Sequence, residues 1–311
     1  MGTLLLFLGL LAAPTDQTPA CSAHELVYHD KLGMVLLLNC GEAEDQGRFW
    51  GWNGRKWTEL SSDAPSPREL GGAVYDTRRN VIVMYGGQQM VRSEPRTLAE
   101  TWEWDGKSWK KIDAAPPDVT DHFAMAYDPA RGQTVLYGGQ GPDQKGKAGT
   151  WTWDGIKWQK ASNAAPGVEE HHAMVFDSKR KTIVLLGGAH QPEDLWDWDG
   201  SVWKKWEGRQ PRGRSHAGLV YGGQRDQLML FGGFAPGTWL GDTWVRMGDS
   251  WAKYEGRAPA PRGLIAMAYD QKRDKIILYG GVSGGMSGPE VKLSDTWEWD
   301  GTQWSERTPA K

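Results

Sequence analysis

One phrase recurs along the chain: Trp-x-Trp-Asp-Gly-x-x-Trp. It runs from Trp102 to Trp109, Trp151 to Trp158, Trp196 to Trp203 and Trp297 to Trp304. A variant from Trp50 to Trp57 carries Asn53 in place of Asp, and a degenerate copy from Trp244 to Trp251 keeps the outer Trp pair and Gly248. The closing Trp residues of the six copies are spaced 52, 49, 45, 48 and 53 apart. A period near 50 residues means a stacked or radial array, because one such unit cannot bury its own apolar faces.

Two further phrases complete the unit. An apolar run ending in a glycine pair precedes copies two to six, at Gly86-Gly87, Gly138-Gly139, Gly187-Gly188, Gly232-Gly233 and Gly280-Gly281; Asn39-Cys40 stands there in the first. Upstream of that, an apolar stretch ends in an aromatic and usually Asp, as in Tyr75-Asp76 and Tyr127-Asp128. Each unit therefore reads as four strands, A to D. Strand A ends at the aromatic. Strand B, such as Val81 to Tyr85, is apolar throughout, as suits a strand covered on both faces. Strand C carries Trp at i and i+2, on one face. Asp-Gly then supplies a two-residue hairpin turn, which needs positive φ. Strand D starts at the third Trp. The expectation is an all-β, six-bladed propeller with four antiparallel strands per blade, in which Trp102, Trp151, Trp196 and Trp297 lie buried between blades.

The glycine pairs and Trp-x₆-Trp units resemble the kelch repeat, in its Trp-Asp-Gly-Trp-rich bacterial form. The resemblance covers about residues 24 to 308 and implies a single domain, with blades at about 24–68, 69–121, 122–170, 171–215, 216–262 and 263–311. All four strands of every blade are then sequence-local, and closure rests on packing between the first and last blades. The galactose-oxidase-like relatives of this fold use a copper site of Tyr, His and a crosslinked Cys. Both cysteines of this chain lie at the N-terminal end, so that site does not carry over.

Leu4 to Ala13 is an apolar run too short to span a bilayer and suited to the core of a secretory signal. Residues 1–23 are read as a signal peptide, with cleavage after Ala20, which keeps Cys21, and after Ala23, which removes it, both open; this makes the protein exported, periplasmic or secreted. A lipidated Cys21 is an alternative outcome of the same signal. Two cysteines cannot build a thiolate-rich metal site. Cys21 and Cys40 face each other across the first hairpin, and a disulfide and a free buried Cys40 are equally open readings.

A net charge of -3 offers no basic field for nucleic acid. No phosphate-loop or His-x-x-x-His pattern is present and no Ser-His-Asp or Cys-His set assembles by motif, so no catalytic residue, metal or cofactor is assigned. His24, His122, His172 and His216 recur at the start of strand A, as a repeat-wide structural device bonding backbone between blades would. All Trp but Trp206 and Trp239 recur at or beside fixed offsets, as core residues do. Trp239, in a long loop, is the candidate exposed contact.

Long connections gather on the face that carries the B-to-C and D-to-A loops, where function usually sits. There Arg68, Arg212, Arg214, Arg262, Asp121, Glu170, His171 and Trp239 are the candidate ligand-binding residues. Arginine forks suit carboxylates. Exposed charges contribute little, so replacing the four arginines by Ser is expected to leave thermal stability nearly unchanged. The first functional reading is an exported interaction or ligand-binding module, a monomer whose partner is a protein, a glycan or a small polar ligand. Bacterial periplasmic kelch propellers that interconvert sialic acid anomers suggest a second, a sugar-acid-processing enzyme; it needs an acid and two or more arginines in one pocket. A lectin, the third, needs several exposed Trp.

Overall fold

The computed structural model describes residues 19–307 apart from 41–47, 62–63, 92–93, 163–165, 168–169, 189–193 and 286–288. The signal segment from Leu4 to Ala13 lies outside the described residues. Six four-stranded antiparallel sheets follow one another in sequence. Blade 1 is Glu25–His29, Met34–Leu38, Arg48–Trp52 and Trp57–Ser61. Blade 6 is Ala266–Asp270, Lys275–Tyr279, Thr296–Trp299 and Trp304–Glu306. The last strand pairs within blade 6, Trp299 opposite Trp304, so no strand is exchanged between the termini.

The B strands are the most deeply covered, with Ile82, Val83 and Tyr85 at 0 % exposure. The D strands are the outer edges and present lysines, as at Lys110 and Lys111, which discourage pairing with another chain. Of the Trp pair on strand C, the second is the deeper. Trp52, Trp104, Trp153, Trp198 and Trp299 are at most 4 % exposed, whereas Trp102, Trp151 and Trp196 are half-buried and only Trp297 of the expected four is fully covered. The closing Trp holds blades together by a recurring bond. Trp57, Trp158, Trp203 and Trp304 each donate Nε1–H to a threonine of the preceding blade, Thr296, Thr101, Thr150 and Thr243, at 2.8–2.9 Å. In blade 5 Arg246 stands where the second Trp stands elsewhere. It stacks on Trp206 of blade 4 at 3.8 Å, with Arg180 on the same indole at 4.0 Å, which accounts for that off-pattern Trp.

The glycine pairs answer a steric demand. A Cβ on Gly86 would lie 2.3 Å from the Thr120 carbonyl oxygen, in the linker entering the next blade. The Gly87 amide donates to that oxygen at 2.7 Å. Blade 1 meets the same demand with Asn39, whose φ is +57°. At the closure the Gly281 amide donates to the Cys21 carbonyl at 2.8 Å, the same bond made by a chain end instead of a linker. Cys21 is also disulfide-bonded to Cys40, Cα atoms 5.5 Å apart. Closure thus uses backbone bonds and a covalent pin as well as the side-chain packing expected.

Candidate functional site

The A strands line a central channel. At the loop-face mouth, one residue per blade closes a ring: Ala23, Leu70, His122, His171, His216 and Leu264. All six have positive φ, between 51° and 59°. Non-glycine residues avoid this region, and such strain persists only where the surroundings impose it. Here the bonds between neighbouring blades impose it. His122 N–H donates to Leu70 at 2.9 Å, His171 to His122 at 3.3 Å, His216 to His171 at 2.9 Å, Leu264 to His216 at 3.1 Å and Ala23 to Leu264 at 3.0 Å.

Three adjacent ring positions are histidines. The His122 and His171 rings meet edge-on at 4.6 Å, and His171 stacks on His216 at 4.0 Å. Trp239 extends the arc, edge-on to His216 at 6.4 Å. The His122 Nδ1 lies 2.6 Å from Asp121 Oδ1, and His216 Nδ1 lies 2.8 Å from Ser215 Oγ. Burial, with the neighbouring His122, holds the His216 pKa down to about 4, so its imidazole is neutral at pH 7. Below the ring, Leu26, Ala73, Met125, Met174, Leu219 and Met267 form an apolar collar around a cavity of about 260 Å³. Glu25 is the one acid among the lining residues, which include no Lys or Arg. Burial pushes the Glu25 carboxyl up to about 8, against an Asn39 hydrogen bond and the attraction of Arg68. The far mouth is ringed by Tyr28, Tyr75, Tyr127, Phe176, Tyr221 and Tyr269 around about 480 Å³.

The candidate residues part into groups. Arg68, Arg214 and Arg262 were expected to be exposed; they are 3 %, 1 % and 2 % exposed. Each guanidinium donates to the first carbonyl of the following blade's glycine pair, Gly86, Gly232 or Gly280, at 3.0–3.1 Å. Arg214 also forks onto Asp242 at 2.5 and 3.0 Å, and Arg262 onto Asp295 at 2.5 and 2.8 Å. Arg68 pairs more loosely with Glu100, at 3.7 Å. Burial works against the charge on Asp242 and Asp295, yet the arginine bonds hold both below the usual carboxylate range. These side chains clamp the ends of strands B and C, and the expectation that their removal leaves stability unchanged is corrected. Arg212 alone of the four is exposed. Trp239 is half-buried rather than exposed, its Nε1–H donated to the Gly284 carbonyl at 2.8 Å. Asp121 is fully buried behind His122, and Glu170 accepts from Gln140 Nε2 at 2.9 Å.

The histidine reading divides. His24 and His172 do bond backbone between blades, to the carbonyls of Tyr279 and Tyr137 at 3.1 and 2.9 Å. His122 and His216 sit one position earlier in the blade register and line the mouth instead. Sequence reasoning passed over these two and Glu25. The signal for Glu25 was available: it is a lone carboxylate at a strand-A position that is Gly or Ala in every other unit. Among the described residues, no three His, Cys, Asp or Glu are arranged to hold a metal ion.

No protein-family model matches the chain, and no curated protein matches it. The solved structure of YjhT is similar, with a TM-score of 0.73 over 94 % of this chain and 98 % of that one at 14 % identity. A likeness at that identity is one of fold.

Proposed function

We propose that this chain is an exported, ligand-binding propeller of the kelch type, whose ligand seat is the loop-face mouth of the central channel. The observation that carries the reading is the aromatic arc of His122, His171, His216 and Trp239 over a cavity of about 260 Å³. Concave, largely apolar sites with a few convergent polar groups are where small molecules bind. Asp121 supports the arc by orienting His122 and Glu170 precedes His171 in the same loop, while Arg212 lies apart from the arc, beside Asp194, Lys205 and Trp206. Arg68, Arg214 and Arg262 shape the loops around the mouth. The Cys21–Cys40 disulfide supports export, since such bonds persist in oxidising compartments. No helix among the described residues is long and apolar enough to cross a membrane.

The sugar-acid-processing reading requires an acid with two or more arginines, and the channel lining offers Glu25 without one. The lectin reading requires exposed Trp, and every Trp is at least half-buried. A thermal-shift screen of small polar, cationic and anionic compounds tests the proposal. Hits should be lost in a His171→Ala/Trp239→Ala variant and kept in an Ile156→Ser variant on the opposite, hairpin face. Hits that survive the first change and vanish with the second overturn the choice of face.

A further inference from the structure

We propose that the channel seats a small organic cation: a primary ammonium bound by the Glu25 carboxylate, with an apolar body lying against Met125, Met174 and Leu219. This rests on the mouth of the channel being the ligand seat.

The first observation is one of register. Glu25 is two residues past ring position Ala23. The same position holds Gly72, Ala124, Ala173, Gly218 and Ala266 in the other blades. A side chain there points at the next blade. A Cβ on Gly72 would meet Met125 Sδ at 2.7 Å and the Phe123 ring at 2.9 Å; one on Gly218 would meet Met267 and Ile265. Where Glu25 points, the corresponding residues of blade 2 are Ala73 and Gly71. Ala73 is the smallest residue of the collar and Gly71 the smallest of its own position. A large acidic residue in one blade is matched by two small residues in its neighbour, and Glu25 is among the residues lining the channel. The other five blade junctions meet the needs of the fold without a carboxylate.

The second observation is one of charge. Glu25 Oε2 accepts from Asn39 Nδ2 at 2.6 Å. The nearest cation, Arg68, is spent on the Ser66 and Gly86 carbonyls and on Glu100. His24, beside Glu25, is buried against the Tyr279 carbonyl. With Lys and Arg missing from the lining, the Glu25 charge is only partly offset, by the Asn39 hydrogen bond and the attraction of Arg68. A cation entering beside it supplies the missing partner. In a six-membered ring blade 4 lies opposite blade 1, so Met174 faces Glu25 across the channel and the apolar body spans between them.

Protonation supplies a signature. Because Glu25 is largely protonated at neutral pH, binding a cation releases one proton, and affinity rises with pH up to about 8, by as much as about tenfold per unit. The ligand amine stays protonated over that range, as a lysine with its pKa of about 10.4 does. Of the groups around Glu25, Asn39 does not titrate, Arg68 stays charged and His24, held down to about 4 by burial, stays neutral between pH 6 and pH 8.

The experiment is titration calorimetry of the whole chain with phenethylammonium, 2-phenylethanol and 3-phenylpropionate at pH 6 and pH 8. Phenethylammonium should bind at least about tenfold tighter than the alcohol at pH 8, with less preference at pH 6 and one proton released. Glu25→Ala introduces the residue that blades 3, 4 and 6 carry at this position, and should abolish the preference while the alcohol still binds. Ala73→Phe fills the channel and should abolish binding of all three. Preference for the carboxylate, or an ammonium preference that survives Glu25→Ala, overturns the cation proposal. If Ala73→Phe still removes binding in that case, the mouth remains the seat. If none of the three binds at millimolar concentration, both readings fall.

Discussion

Glu25 is the residue at which fold and function pull apart. A carboxyl with a pKa of about 8 in the folded chain and 4.5 as its ordinary value binds more protons folded than unfolded between those limits. Its contribution to stability is therefore present at low pH and lost progressively as pH rises from about 4.5 to 8, with a slope of at most about 1.4 kcal/mol per unit. Glu25→Ala should be more stable than the wild type at pH 8 and gain little at pH 4.5. Urea midpoints at the two pH values measure this; parallel pH profiles would show that the carboxyl is not desolvated. The lone acid was visible in the aligned repeats. Its burial was not, because it depends on Gly71 and Ala73 in a different blade.

At the level of the element, blades 2, 5 and 6 are framed at their loop ends by an arginine clamp. In blades 5 and 6 a buried arginine bonds the end of strand B through a glycine carbonyl and the start of strand C through an aspartate, which in turn accepts from the first Trp of strand C. Removing one partner strands a buried charge, at a cost of roughly 3–5 kcal/mol. Arg262→Ser should accordingly lower the unfolding free energy by about that much, whereas Arg212→Ser, on an exposed residue, should change it by less than about 0.5 kcal/mol. Chemical denaturation of both variants decides the matter, and equal effects would refute the clamp. The arginines were legible as a recurring loop feature. Read as a binding arc, they were misjudged in exposure, because a D-to-A linker looks like surface until the glycine pair lets it sink onto the strand ends.

In the whole molecule the seam between blades 1 and 6 is closed by Cys21, whose carbonyl takes the Gly281 amide and whose sulfur is bonded to Cys40. A disulfide closing a loop of 19 residues contributes about 2–4 kcal/mol. Reduction, or Cys40→Ser, should lower stability by that order and open the seam first. Hydrogen exchange reads this locally. The Gly281 amide should exchange faster after reduction, while the equivalent Gly233 amide, bonded to the Arg262 carbonyl inside an intact linker, should be unaffected. Uniform acceleration at both would mean that the ring has no weak seam.

The repeats by themselves determined the number of blades, the four strands in each and the pairing of those strands within their own blade. Glycine pairs, Asp-Gly turns and unbroken apolar runs act within one unit, so their physics is readable from one unit. Only the tertiary structure decided which side chains face the channel. His24 and His122 look alike in sequence, but one step of register turns the first into the neighbouring blade and the second into the mouth. The left-handed ring residues carry no glycine to announce them, since at five of the six the conformation is held by an amide bond to the preceding blade. Burial and charge at Glu25 and the arginines likewise arise between units, where a sequence read one repeat at a time holds no information.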